Sequence, residues 1–335
     1  MKDYLIKRIL LMIPTLLGIT LITFTLLHLM PGDPASMKIK MNLQGVKSDA
    51  LAKEIIEKTR KLYGLDKPLI TQYGLWLKRL IVLDFGKSFK DHRPVLEKIK
   101  ERLPVTLQLS LISIFLIYLI SIPIGVFSAI KQDSVADRIT TVILFILYSL
   151  PNFWVATLLI MLLGGGDYLN IFPIYGLSSE NAASFPLWKW VLDRVWHLVL
   201  PIISLTYGGF ASLSRYMRAE MLEVIRQDYI RTARAKGLPE KIVIFKHALR
   251  NSLIPIVTLL AYLLPALFSG SVIIENIFSI PGMGKLAFES ILARDYPTIM
   301  AIITISSFLT LLGILLADII YVLVDPRISF EKIEQ

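Results

Sequence analysis

The sequence predicts an all-α polytopic membrane protein with six transmembrane helices. Three observations carry that expectation. Of 335 residues, 55% are hydrophobic and 19% charged, and the mean hydropathy of +0.63 is more than an ordinary soluble fold can bury. Six runs lack Asp, Glu, Lys and Arg over at least 20 residues each, enough at 1.5 Å per residue to cross a hydrocarbon layer of about 30 Å. Within that layer a segment must satisfy its own backbone donors and acceptors, which a helix does.

The runs are Ile9–Met30, Leu103–Ile130, Ile139–Gly166, Val195–Ser214, Asn251–Ile274 and Tyr296–Ala317. The first follows Lys7 and Arg8 as a signal peptide would, yet it ends at Met30-Pro31-Gly32-Asp33 with no small-x-small cleavage site and reads as an uncleaved span. Three regions follow: residues 1–30 as N-terminus and first span, 31–102 as an extracytoplasmic insertion, and 103–335 as a core holding the other five spans. With the N-terminus inside, Lys131–Arg138, Arg215–Arg250 and the tail after Val324 are also inside. These segments and the N-terminus together carry 16 Lys and Arg, against four in the short outer connections Asp167–Arg194 and Glu275–Asp295. The insertion itself holds 16 Lys and Arg, a load that a long translocated segment tolerates. The formal net charge of +10 is thus spent on topology rather than on a nucleic-acid face.

Inside the insertion, Ser48-Asp49 caps a helix with Leu51, Ile55, Ile56 and Leu62 at helical spacing, ended by Gly64. Asp66-Lys67-Pro68 starts a second, with Leu69, Tyr73, Trp76, Leu77 and Leu80 on one side. That stripe packs on the rest of the insertion or on lipid, or else docks an external partner.

No energy source is legible in the chain. Gly86-Lys87-Ser88 resembles the end of a phosphate-binding loop, but the first glycine of that loop would fall at Ile81. His28, His92, His197 and His247 are scattered and no Cys is present, so no metal, cofactor or disulfide is expected. Ion-driven carriers keep ionisable groups near the bilayer midplane, whereas His28, His197 and Asp318 fall near span ends as interfacial groups. Serines and threonines in the spans (Ser113, Thr206, Thr304 among them) would suit a self-contained channel, but such residues more often bond to their own or neighbouring helices. A membrane-embedded enzyme would need a paired acid, base or metal cluster in the bilayer, and none is found.

The segment Asp228–Pro239 has the grammar of a short capped helix. Asp228 can cap its start, Lys236 suits the negative end of the dipole, Gly237 takes the left-handed position, and Pro239 begins the next helix. Ala233, Ala235 and Gly237 leave a low-relief surface, with Arg231 and Arg234 at its rim. From these residues alone, a basic loop that merely fixes topology is as good a reading as a docking helix.

The segment resembles the EAA loop of permease subunits in ATP-binding-cassette importers, in the form found in the peptide and nickel branch. Gly237 and Ala233 match the motif's glycine and the alanine four positions earlier; Arg231 stands at its glutamate, Thr232 at its second position, and Leu249 alone matches the downstream Ile-x-Leu-Pro. The strings Leu29-Met30-Pro31-Gly32-Asp33-Pro34, Tyr63-Gly64-Leu65-Asp66-Lys67-Pro68, Gly86-Lys87-Ser88-Phe89, Ile280-Pro281-Gly282-Met283-Gly284 and Arg294-Asp295-Tyr296-Pro297 likewise look like the first of the two permeases in dipeptide and oligopeptide importers. The resemblance implies a type I importer fold in a prokaryotic cell membrane, translocating short peptides. Nickel or oligosaccharide import by the same complex type is the alternative. It also implies a second, homologous permease, two cytoplasmic ATPases that hold the ATP and Mg, and an extracytoplasmic binding protein. Asp228, Arg231, Thr232, Ala233, Arg234, Ala235, Lys236 and Gly237 would form the ATPase-coupling site, and the insertion with Glu275–Asp295 much of the binding-protein platform.

Overall fold

The computed structural model of the chain describes residues 2–30, 54, 56–58, 60–61, 64–164 and 168–324. The Ser48-Asp49 cap, Leu51, Ile55, Leu62, Tyr63, the Pro31–Pro34 string and the tail after Val324 lie outside them.

The described residues are almost wholly helical: α1 (Lys2–Leu29), α2 (Leu69–Ile81), α3 (Val95–Ile130), α4 (Val135–Ser149), α5 (Asn152–Leu163), α6 (Leu187–Ile225), α7 (Asp228–Ala235), α8 (Leu249–Tyr262), α9 (Leu264–Ser269), α10 (Val272–Ile277), α11 (Met283–Leu292) and α12 (Tyr296–Val324). Five helices are long and apolar enough to cross a membrane, and a sixth span is the pair α4 and α5, bent by 96°. The bend falls at Leu150-Pro151, where Pro151 supplies the N-cap of α5 and has no N–H to continue the helix before it. The expected straight run Ile139–Gly166 is therefore two helices. The run Asn251–Ile274 is likewise divided: the span covers Glu240–Leu260, and α9 and α10 follow as short pieces around Gly270 at φ +67°. Pro14, Pro201 and Pro255 sit inside helices without ending them.

Contacts divide the chain into two compact units, Met1–Thr106 with Pro281–Leu315, and Leu107–Ile280 with Leu316–Gln335. In the first unit, Gly64 ends the preceding helical residues at φ +68°, with the Leu65 N–H donating to Arg60 O at 2.9 Å, and Pro68 is the N-cap of α2. Two strings 200 residues apart in sequence meet here around the fully buried Asp295. Ser88 Oγ donates to Asp295 Oδ2 at 2.5 Å, Thr298 Oγ1 to the same oxygen at 2.7 Å, and the Phe89 N–H to Oδ1 at 2.8 Å. Lys98 Nζ, also buried, donates to Ser88 Oγ at 2.9 Å and pairs with Asp91 at 2.8 Å and with Asp295 at 3.7 Å. Burial pushes the Asp91 carboxyl up, but hydrogen bonds from Lys98, the Arg93 N–H and Ser88 outweigh it and hold Asp91 below its ordinary range. Around this network Phe85, Val95, Ile99, Met283, Leu286, Ala301 and Ile302 form an apolar cluster.

In the second unit, α3 and α6 approach closely at glycines. A Cβ on Gly125 would lie 2.6 Å from Ser214 O and from Met217 Cβ, so only glycine fits there. Hydroxyls in the spans mostly bond back to their own helices, Thr206 Oγ1 to Ile202 O at 2.8 Å and Thr304 Oγ1 to Met300 O at 2.6 Å, while Ser113 Oγ has no hydrogen-bond partner. His197, expected to reach water, is buried instead, with Nδ1 2.8 Å from Asp193 O; a carbonyl one turn back replaces the solvent. Asp318 is buried as well.

Candidate functional site

The two-turn helix α7 spans Asp228–Ala235, as the spacing predicts, with one correction at its start. The N-cap is Gln227, and Asp228 is the first helical residue. Its carboxylate is therefore in the first turn, where a negative charge suits the helix dipole, and its backbone carbonyl accepts from Thr232 Oγ1 at 2.9 Å.

The C-terminus is closed as expected. Lys236 is the C-cap and Gly237 has φ +76°. The Gly237 N–H donates to Arg234 O at 2.9 Å, and the Leu238 N–H to Ala233 O at 3.4 Å. This pair of bonds is a Schellman turn, which satisfies carbonyls that a helix end would leave open. Pro239 then caps Glu240–Ile242. A clamp crosses the turn: Arg234 donates to Glu240 through Nε at 3.1 Å and Nη2 at 2.6 Å. That hydrogen-bonded carboxylate holds the Arg234 guanidinium protonated above even its usual range.

One side of α7 is core and the other is free. Ile230 is fully buried and Ala233 nearly so, in a cluster with Val126, Ala129, Leu213, Met217, Met221, Val243, Ala248 and Ile256. These residues come from α3, α6, α8 and the π-helical turn Val243–Ala248, so the short helix packs on that turn and shares one apolar cluster with three membrane-crossing helices. Ala233 therefore does not join the low-relief outer surface; its small side chain lets the helix settle on its own core. Tyr229, Arg231, Thr232, Arg234, Ala235, Lys236 and Gly237 are exposed. Among the described residues nothing lies within 4 Å of a Cβ placed on Gly237, so that edge faces open space.

Three anchors were not read from the sequence. Glu240 carries no local signal, because an Arg and a Glu six residues apart meet only when a turn separates them. Asn251 Nδ2 donates to Tyr229 Oη at 2.8 Å, tying α7 to the start of α8. Just before α7, Arg218 grips the buried Asp137 with Nε–Oδ1 at 3.0 Å and Nη2–Oδ2 at 2.7 Å. Asp137 also accepts the Asp133 N–H, so the start of α4 is fixed to the end of α6.

Residues 121–330 match the family described as "Binding-protein-dependent transport system inner membrane component", and residues 1–110 match the N-terminal membrane component of the same systems. The chain belongs to this family of transport permeases. The permease is 44% identical to the oligopeptide transport system permease protein AppB of Bacillus subtilis (strain 168), over 98% of this chain and 100% of the relative. It is 35% identical to the peptidoglycan transport system permease protein YejB of Agrobacterium fabrum, covering 99% of each chain. It is 34% identical to the dipeptide transport system permease protein DppB of Alkalihalophilus pseudofirmus, over 98% of this chain and 100% of the relative. It is thus a membrane component of an importer rather than a self-contained channel. Among the described residues, no three His, Asp or Glu side chains are grouped to hold a metal ion.

Proposed function

We propose that the permease is one of two homologous pore subunits of an ATP-driven importer of short peptides, and that α7 is the contact through which ATPases on its cytoplasmic side move it. The observation that carries this reading is the division of α7 into a face buried in an apolar cluster shared with three spans and a face open to solvent. A helix so mounted passes a push on its outer face to the bilayer segments beneath it. The substrate class is supported by the relatives' names, oligopeptide and dipeptide permeases among them. The partners are a second permease, two cytoplasmic ATPases that bind ATP and Mg, and an extracytoplasmic binding protein resting on the insertion 31–102 and on Glu275–Asp295. Both termini then face the cytoplasm, with the chain in the cell membrane of a prokaryote. Closure of the ATPases on ATP would rock the paired permeases between inward- and outward-facing states.

The test exploits the open space beside Gly237. A side chain there strains the backbone by about 1–2 kcal/mol whatever its size, because φ is positive. Its Cβ meets nothing within 4 Å among the described residues. Gly237→Ala and Gly237→Trp therefore share the strain and differ only in bulk presented to a partner. In the reconstituted importer, Gly237→Ala should retain most peptide uptake, whereas Gly237→Trp should keep normal membrane insertion and lose coupling of ATP hydrolysis to uptake. Equal uptake by the two variants would remove α7 from the coupling contact.

A further inference from the structure

In the first unit the last turn of α1, the first turn of α12, the helix α2 and the Gly86–Phe89 loop surround a groove of about 980 Å³. Its floor is aromatic: Phe24, Trp76, Phe89 and Tyr296 line it. Its rim is basic, with Lys61, Lys67, Arg79 and Lys87. None of these four forms an ion pair among the described residues. Asp84 is the one acidic side chain lining the groove among those residues, and its Oδ1 is engaged by the Gly86 N–H at 2.9 Å.

The groove's depth is fixed by α2. Tyr73 Oη lies 3.0 Å from Thr20 Oγ1 and donates to Leu17 O at 3.2 Å. Those positions are nine and twelve residues before the end of α1, roughly 14–18 Å along the helix axis. Farther up, His28 Nε2 is 3.1 Å from Gln72 Oε1. The start of α2 thus lies alongside a membrane-crossing helix rather than standing in water above it. One edge of α2 agrees with that depth: Ile70 and Ile81 are 88% and 83% exposed, and Val82 and Leu83 beyond them 72% and 67%. The opposite edge carries Leu75 and Arg79 into the groove. An apolar edge toward acyl chains with basic side chains beside it is the arrangement of a helix lying in the membrane interface.

We propose that this groove is a binding site for an anionic phospholipid of the adjoining leaflet. Arg79 and Lys87, with Lys61 and Lys67, hold the phosphate headgroup, and Trp76 and Leu75 receive the upper acyl chain. A planar guanidinium and ammonium groups suit phosphate oxygens, and the low polarity of the aromatic floor strengthens their attraction. An acidic protein surface would satisfy the same rim. It would not explain why the rim is set beside exposed apolar residues at the depth of a transmembrane helix.

The site is tested with the assembled transporter in vesicles of equal parts phosphatidylglycerol and phosphatidylcholine, followed by extraction and native mass spectrometry of the retained lipid. The intact complex should retain phosphatidylglycerol in preference to phosphatidylcholine. Arg79→Gln with Lys87→Gln should weaken that retention roughly 30-fold, the effect of two basic residues at an anionic surface. Arg79→Lys should keep most of it, and Lys58→Gln, which is not among the groove's lining residues, all of it. Retention unchanged in the double variant overturns the site. So does retention without preference between the two lipids, or displacement by millimolar inorganic phosphate, which would make the ligand a free anion. Loss of binding-protein affinity in the double variant with lipid retention intact would assign the rim to a protein and overturn the proposal equally. None of these outcomes touches the coupling role of α7, which is read from peptide uptake.

Discussion

Asp295 is the residue on which the first unit turns. Its two oxygens accept from Ser88, Thr298 and the Phe89 amide, and the buried Lys98 stands behind them. Without Asp295, Lys98 keeps Asp91 at 2.8 Å, but Ser88, Thr298 and the Phe89 amide lose their buried acceptor, and a buried polar group left unsatisfied costs about 1–3 kcal/mol. Asp295→Ala should therefore destabilise the permease by an amount of that order, read as a fall in its thermal unfolding midpoint in detergent. Asp295→Asn, which keeps one acceptor oxygen and loses the charge, should fall between the variant and the parent. The sequence carried Ser88 and Asp295 in two separate strings, but nothing in it indicated that they touch. Residues more than 200 positions apart leave no local periodicity, and the buried Lys98 looked like any other charge in a basic segment. Gly237 was legible because the left-handed position that ends a helix is a local requirement. The cap at Gln227 was not, since an acidic residue serves equally well one position further in.

Among the elements, the long spans were read with the fewest errors, because an uncharged run of 20 residues states its own length and setting. What could not be read is where such a run bends. The pair α4 and α5 turns through 96° at a proline, while Pro201 and Pro255 leave their helices continuous. Packing rather than the residue decides. The packing of α3 on α6 rests on Gly125, whose missing side chain allows Ser214 O to come within 2.6 Å of a Cβ's place. Gly125→Ala should push the two helices apart and lower folded yield in the membrane, and Gly125→Leu should abolish it; fluorescence-detected size-exclusion profiles of the two variants check the order. Equal profiles for parent and leucine variant would show that the approach is not needed. Of the amphipathic stripe expected on α2, Tyr73, Trp76, Leu77 and Leu80 are half-buried, whereas Leu69 at its start is exposed. Its exposed apolar edge was not foreseen. Ile70 and Ile81 lie outside the stripe that periodicity picks out, and only the helix's position beside α1 gives them meaning.

For the whole molecule, the orientation of the chain is the next quantity to measure. The charge asymmetry between connections predicts that Arg215–Arg250 is cytoplasmic. The parent has no cysteine, so single cysteines can be introduced without background. Lys236→Cys should react with a membrane-impermeant maleimide only in inside-out vesicles, and Glu180→Cys only in right-side-out ones. The reverse pattern would invert the topology and take α7 out of reach of any cytoplasmic ATPase. Both positions are exposed and neither belongs to an apolar cluster, so their substitution should leave the fold intact.

The seating of α7 has a mechanical consequence. Ile230 and Ala233 share one continuous apolar cluster with α3, α6 and α8, and the Arg234–Glu240 clamp and the Tyr229–Asn251 bond brace its two ends. Such a mounting has almost no slack. A displacement of an ångström at the outer surface is too large for the close-packed side chains beneath to absorb, so it must travel onward as rotation of whole helices. In a transporter, stiffness at this joint would set how much of each stroke is delivered as work on the gate and how much is dissipated before reaching it.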